Sequence, residues 1–220
     1  MPKPKMLYPL VVVDIALFCV DDNGLNVLLV KRSNEPAQGF WSLPGGVLQP
    51  ERDRDLESAA RRVLREKIGV DVRYLSEVRS FSGPDRDPRG WSIGMLFFAL
   101  LPRDHIHAIV KDSVDQVEWV SVRRITRAMA FDHSEQIDAA VQVLRDKVER
   151  HVPPLHLMPA EFTLGSLQKT CEAILGRPLD KSVFRRRLKG SPDLIALHVE
   201  NTGSAQRPSL LYRASDGFQF

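Results

Sequence analysis

What most constrains the fold of this chain is a change of grammar at Gly45-Gly46. Ahead of it, residues 8–20 form a long apolar, β-branched run. Asp21-Asp22-Asn23-Gly24 then supplies turn chemistry before the apolar residues 25–30. This predicts a hairpin whose first strand lies centrally in a sheet. Behind the glycines, Leu56, Ala59, Ala60, Val63 and Leu64 recur at three- and four-residue spacing. Such a stripe predicts a helix with one face packed on that sheet. Further strands are expected at residues 72–77, 92–100 and 116–122. A second helix is expected over 134–148, with Ile137, Val141, Leu144 and Val148 on one face. Strands and helices in this order give an α/β (α+β) domain with a mixed sheet.

The passage from Gly45 through Glu51 to Arg62-Val63-Leu64-Arg65-Glu66-Lys67-Ile68-Gly69-Val70 resembles the Nudix box, G-x5-E-x7-R-E-U-x-E-E-x-G-U with U aliphatic. In that box, glutamates on one helix face hold the metal that bridges a diphosphate and activates water. Here Val63 stands at the first glutamate position and Lys67 at the last, which leaves Glu66 as a weak metal candidate. The two halves are also out of register. Counting from Gly45 puts the spacer glutamate at Glu51, but the arginine position then falls on Ala59 instead of Arg62. A single glutamate beside a lysine is a poor site for a hard divalent cation. The resemblance thus implies a Nudix-like fold with a ligand pocket, no catalytic residues, no required cofactor and no enzyme activity.

Charge separates the chain into two parts. Of its 31 basic and 28 acidic residues, nine and six lie from Pro153 onward, so the formal excess of +3 falls entirely in the last third. A modest basic excess on a small module is compatible with nucleic acid. No apolar run approaches the ~20 residues of a membrane span, and the start lacks the layout of a signal peptide. Cys19 and Cys171 match no metal spacing and read as reduced, buried thiols of a cytoplasmic protein.

The prolines at 153 and 154 break the second helix, and the domain joint is placed there, giving domains 1–152 and 153–220. Beyond it, Thr163 caps a helix carrying Leu164, Leu167, Cys171, Ile174 and Leu175, which Gly176-Arg177-Pro178 ends. Asp180 caps a second helix, on which Phe184 and Leu188 face inward while Lys181, Ser182, Arg185 and Arg186 face solvent. Strands at 194–199 and 209–214 follow, joined by a polar loop. Helix, turn, basic helix and hairpin form a winged helix-turn-helix, whose second helix is cationic enough to lie along a phosphate-lined groove.

A Nudix-like domain with a broken box, joined to a winged helix, resembles the Nudix-related transcriptional regulators of NAD metabolism. The resemblance spans nearly the whole chain. It is carried by Phe162-Thr163-Leu164, by Ile174-Leu175-Gly176-Arg177-Pro178-Leu179-Asp180-Lys181 and by Phe184-Arg185-Arg186, with Ala130-Phe131-Asp132-His133 as a second match. It implies a repressor of NAD biosynthesis or salvage genes, with ADP-ribose or a related NAD-derived nucleotide as effector. It also implies a homodimer on a two-fold symmetric DNA operator, and no membrane partner.

A pocket for that effector needs cations or backbone N–H donors for phosphates and a flat group for the base. The ligand candidates are Arg32, Trp41, Gly45, Gly46, Phe81, Arg86, Arg89 and His133. For Trp41 the core is an equal alternative. For Arg86 and Arg89 the alternative is Asp–Arg pairing that stiffens the loop 79–91. Asp132 and His133 either report occupancy to the following helix or merely cap it. The DNA candidates are Lys181, Ser182, Arg185, Arg186 and, at the wing, Arg207. The rival reading is a Nudix hydrolase acting on ADP-ribose, with Glu51, Asp53, Asp55, Glu57 and Glu66 as replacement metal ligands.

Overall fold

The structure is a computed structural model that describes residues 8–102, 116–150, 154–197, 210–218 and 220. The first strand, β1 (Leu10–Asp21), is buried on both faces through most of its length. Its odd-numbered Val13, Ile15 and Leu17 enter one core cluster, and its even-numbered Ala16 and Phe18 enter another on the opposite face. Burial on both sides is why the run is continuously apolar instead of alternating.

β1 turns back into β2 (Gly24–Lys31) and pairs in parallel with β6 (Ser92–Leu100) from Leu10–Ser92 to Phe18–Leu100. β5 (Tyr74–Gly83) lies antiparallel on the outer edge of β6, and β7 (Gln116–Ser121) on the outer edge of β2. Two short strands, β3 (Trp41–Ser42) and β4 (Gly45–Val47), complete the mixed sheet. β5 runs further than the sequence pattern indicates. Arg79 and Phe81 were expected in a loop, but they pair with Leu96 and Gly94 after a bulge that follows Glu77. The connection to β6 therefore begins only beyond Gly83.

Helix α1 (Leu56–Val63) covers one face with Ala59, Ala60 and Val63, and a π-helical turn at Leu64–Ile68 adds Leu64 and Ile68. Asp55 starts the helix by accepting from the Ser58 amide at 2.7 Å, and Gly69, at φ 79°, ends the turn. The other face carries helix α2 (His133–Glu149) through Ile137, Ala140, Val141 and Leu144.

The second part opens with a 3-10 turn at Leu155–Leu157 and then β8 (Phe162–Thr163), a strand which the sequence pattern does not indicate. It continues through α3 (Leu164–Leu175), α4 (Lys181–Leu188), β9 (Leu194–Leu197) and β10 (Leu211–Ala214), the strands pairing in the order β8-β10-β9. Thr163 and Asp180 cap the two helices, accepting from the amides of Ser166 at 3.0 Å and Val183 at 2.7 Å. Among the described residues, this unit shares its core with the first part. Leu167, Cys171 and Ile174 of α3, with Phe162, Phe218 and Phe220, share a cluster with Phe18, Leu29 and Phe98 of the sheet and Leu144 and Val148 of α2. At about 1.5–3 kcal/mol per fully buried large apolar side chain, that common cluster is a strong mechanical link between the two parts.

Candidate functional site

β1 and β2 pair only beside their shared turn, from Phe18–Val27 to Asp21–Gly24. Further on they part. β3 then takes the freed edge of β2 at Val30–Ser42, and β4 takes that of β1 from Val12–Val47 to Asp14–Gly45. The gap opens into a cavity of about 280 Å³ whose lining includes Arg32, Gly45, Gly46, Arg86, Arg89 and His133. These six ligand candidates, drawn from four separate stretches of sequence, therefore meet in one place.

The floor of the cavity is a buried polar network around Asp14 and the head of α2. Gln136 Nε2 donates to Asp14 Oδ2 at 3.2 Å and to Asp132 Oδ1 at 2.8 Å. The amide of Leu43 donates to His133 Nδ1 at 2.8 Å, which places the remaining ring proton on Nε2, 3.7 Å from Asp14 Oδ1. Burial lowers the pKa of His133, so the ring is held neutral. Arg86 Nε and Nη2 donate to the two carboxylate oxygens of Asp132 at 2.8 and 2.9 Å, and Nη1 donates to Ser92 Oγ at 3.2 Å. Asp132 makes no side-chain cap for α2; its carboxylate serves Arg86 instead. Arg89 is paired within its own loop, with Asp87, at 2.6 Å.

Gly45 and Gly46 are required by packing. A Cβ on Gly45 would stand 2.3 Å from Asp14 Oδ1, and one on Gly46 would stand 2.7 Å from Val63 Cγ2. The first glutamate position of the box is thus filled by a core valine that lies beneath the glycine strand.

The metal implied by the Nudix fold can be tested against the residues present, and they do not fit it. Glu66 accepts from Arg52 and from Arg62 Nη1, the latter at 3.3 Å, and those hydrogen bonds lower its pKa. Asp53 is locked to Arg62 at 2.7 and 2.8 Å. Asp55 caps α1 and Glu57 pairs with Arg61 at 2.9 Å. Of the five replacement ligands in the hydrolase reading, four are therefore committed elsewhere. Lys67 extends to the cavity wall and donates to the carbonyl oxygen of Gly45. The carboxylate of Glu66, the weak metal candidate, is thus engaged by two guanidinium groups.

Two ligand candidates lie elsewhere. Trp41 is buried in the core under the guanidinium of Arg127, 4.6 Å from the ring centroid, and does not line the cavity. Phe81 is likewise buried, on β5 beneath Arg79 at 4.1 Å. Their strand periodicity turns both rings to the core face, a fact local sequence does not reveal. Conversely, Asp14, Lys67 and Phe131 line the cavity without having been chosen as ligand candidates. Asp14 had a signal: a carboxylate within an apolar central strand is costly to bury without a purpose.

On the second unit, Lys181, Ser182, Arg185 and Arg186 are all exposed along α4. Phe184 and Leu188 turn inward against the shared core. Arg207 lies outside the described residues. The basic face therefore stands free while the apolar side of the same short helix anchors it.

Comparison with known proteins is consistent with both sites. The family model of the NUDIX domain matches residues 10–140, and that of the NrtR DNA-binding winged helix domain matches residues 154–214. An ADPR responsive transcriptional repressor NtrR of Acinetobacter baylyi is 39% identical over 206 residues, covering 93% of this chain and 82% of the relative. The chain belongs to the NrtR family. The crystal structure of Shewanella oneidensis NrtR complexed with a 27mer DNA superposes with a TM-score of 0.82 at 34% identity, over 93% of each chain. The NUDIX domain of Shewanella oneidensis NrtR complexed with ADP ribose is 36% identical, with a TM-score of 0.59, over 64% of this chain and 93% of that one. The NrtR fold thus accounts for the pocket in the first unit, the basic helix in the second, and the core between them.

Proposed function

We propose that this chain is a transcriptional repressor of NAD biosynthesis or salvage genes, controlled by ADP-ribose or a closely related NAD-derived nucleotide. Residues 1–152 hold the nucleotide and residues 153–220 hold the DNA. The observation that carries this reading is a continuous path along α2. Its head is fastened to the cavity by the Arg86–Asp132 fork and by His133. Its far end is fastened to the winged helix, where Arg145 Nε donates to the Ile174 carbonyl at 3.0 Å and Glu149 accepts from Arg177 at 2.9 Å. A diphosphate entering the cavity competes with Asp132 for Arg86. It thereby biases the placement of the helix that carries α3 and α4.

One winged helix makes too small a contact for specific affinity, so a homodimer on a two-fold operator follows. Effector and operator then oppose each other through a reciprocal coupling of about 1–3 kcal/mol. The engagement of Asp53, Asp55, Glu57 and Glu66 by other partners supports a domain that binds without hydrolysing.

The test is fluorescence anisotropy of the full chain with labelled DNA from upstream of NAD-synthesis genes, titrated with ADP-ribose at fixed salt. Sequence-dependent binding that ADP-ribose releases is the expected result. Operator affinity indifferent to the nucleotide would overturn the proposal. Magnesium-dependent release of AMP and ribose 5-phosphate from ADP-ribose would restore the hydrolase reading.

A further inference from the structure

The cavity lining contains five cations, Lys31, Arg32, Lys67, Arg86 and Arg89, against the carboxylates of Asp14 and Asp87. They are not equivalent. Arg86 is committed to Asp132 and Arg89 to Asp87. Arg32 and Lys67 instead donate to neutral oxygens, Arg32 Nε to the Pro36 carbonyl at 2.8 Å and Lys67 Nζ to the Gly45 carbonyl. Among the described residues, no carboxylate stands at ion-pair distance from either. Arg32 is further positioned by the Phe131 ring, 4.9 Å below its guanidinium. Lys67 has its pKa lowered by desolvation first and by the charge of Arg32 second, while Asp14 and Glu66 oppose the shift. The charges of Arg32 and Lys67 oppose each other across the cavity wall, and Asp14, whose charge acts on both, forms an ion pair with neither.

A backbone carbonyl and a box carboxylate are the oxygen donors a hard divalent cation takes. In this chain the carbonyl, that of Gly45, already accepts from an ammonium, and the ammonium belongs to the residue at the last glutamate position of the box. We propose that Lys67 stands in for the divalent cation. With Arg32 it forms a two-cation clasp for the diphosphate of the nucleotide, so that the effector binds without metal. The inference rests on the reading of this cavity as a nucleoside-diphosphate site. It adds which residue takes over the metal's charge. The loss of glutamates and the gain of Lys67 are then one change: a metal held between carboxylates and phosphates is replaced by a tethered cation. A tethered cation can bind a diphosphate but cannot lower the pKa of a bound water, which is the part of Nudix chemistry that needs the metal.

The experiment is calorimetric titration of the full chain with ADP-ribose, and separately with inorganic pyrophosphate, in EDTA and in magnesium. Variants Lys67→Gln, Lys67→Arg and Lys67→Glu are compared, each checked for wild-type thermal unfolding. Wild-type affinity is expected to be the same in EDTA and magnesium. Lys67→Gln is expected to weaken binding about tenfold or more in both buffers, the loss of one charge-assisted hydrogen bond, and Lys67→Arg to recover most of it. Lys67→Glu is expected to bind weakly in EDTA and to regain affinity with magnesium, having exchanged the tethered cation for a ligand. Wild-type binding that requires magnesium, or a Lys67→Gln protein that binds as tightly as wild type, overturns the inference alone. Binding of pyrophosphate through Lys67 without binding of ADP-ribose would support the clasp and overturn the effector assignment.

Discussion

Arg86, from the connection between β5 and β6, is held by both carboxylate oxygens of Asp132, the residue immediately before α2, at 2.8 and 2.9 Å. Both side chains are largely buried, at 8% and 16% exposure. Burial tends to raise the pKa of Asp132, but the hydrogen bonds from Arg86 and Gln136 outweigh it and hold the carboxylate ionised. The fork thus makes one guanidinium both a wall of the ligand cavity and a fastening for the helix that leads to the DNA-binding unit.

Asp132→Asn keeps the shape of the side chain and removes the charge. Breaking one member of a largely buried pair leaves its partner uncompensated, so a loss of roughly 2–4 kcal/mol is expected in urea unfolding. The more specific expectation concerns coupling. The variant should bind operator, while ADP-ribose no longer changes that affinity in a double titration. Unaltered release by ADP-ribose would show that the fork is structural only.

The Asp53–Arg62 clamp predicts an acid dependence. Two hydrogen bonds from Arg62, with a backbone bond from Gln49, bring the Asp53 pKa from its ordinary 3.8 to about 2. A depressed carboxylate stabilises the fold above its unfolded pKa and loses that contribution as pH falls through the folded one. At neutral pH, Asp53→Asn should therefore cost roughly 1–2 kcal/mol. In urea unfolding at a series of pH values, the gap from wild type should close between about pH 4 and pH 2. A gap that stays constant down to pH 2 would remove the ion pair as its source.

Gly45→Ala and Gly46→Ala should differ in severity. At position 45 the new methyl meets Asp14 Oδ1 at 2.3 Å and the Val13 carbonyl at 3.1 Å, so β4 must lift from β1. At position 46 it meets one methyl of Val63, which is able to turn away. Overpacking of this kind costs about 1–3 kcal/mol. Thermal unfolding should place Gly45→Ala at the upper end, with loss of nucleotide binding, and Gly46→Ala near the lower end.

Exposed charges on α4 should act on DNA and not on folding. Arg185→Ala and Arg186→Ala are expected to leave unfolding within about 0.5 kcal/mol of wild type. Each that contacts a phosphate should lower the slope of log affinity against log salt by about 1. Anisotropy at four salt concentrations measures this. An unchanged slope and affinity in the double variant would place the DNA contact on another surface.

The part of this protein that its sequence determined by itself is the part governed by neighbours along the chain. Thr163 and Asp180 announce their helices because a cap acts within one turn, and the apolar stripes announce which helix faces are buried. Val63 and Lys67 announce the damage to the box because its spacing is local. The tertiary structure decided the rest. Asp53, nine residues from Arg62, is its partner because the loop between β4 and α1 folds back on the helix. Trp41 and Phe81 are core residues because short-range pattern does not tell which face of a strand a cavity occupies. Asp132 serves Arg86, 46 residues away, instead of capping the backbone amides of its own helix. Lys67 reaches the Gly45 carbonyl because a π-helical turn and a splayed pair of strands bring them together. Those contacts depend on how the sheet, α1 and α2 pack together, and so on the three-dimensional arrangement and not on any stretch of sequence.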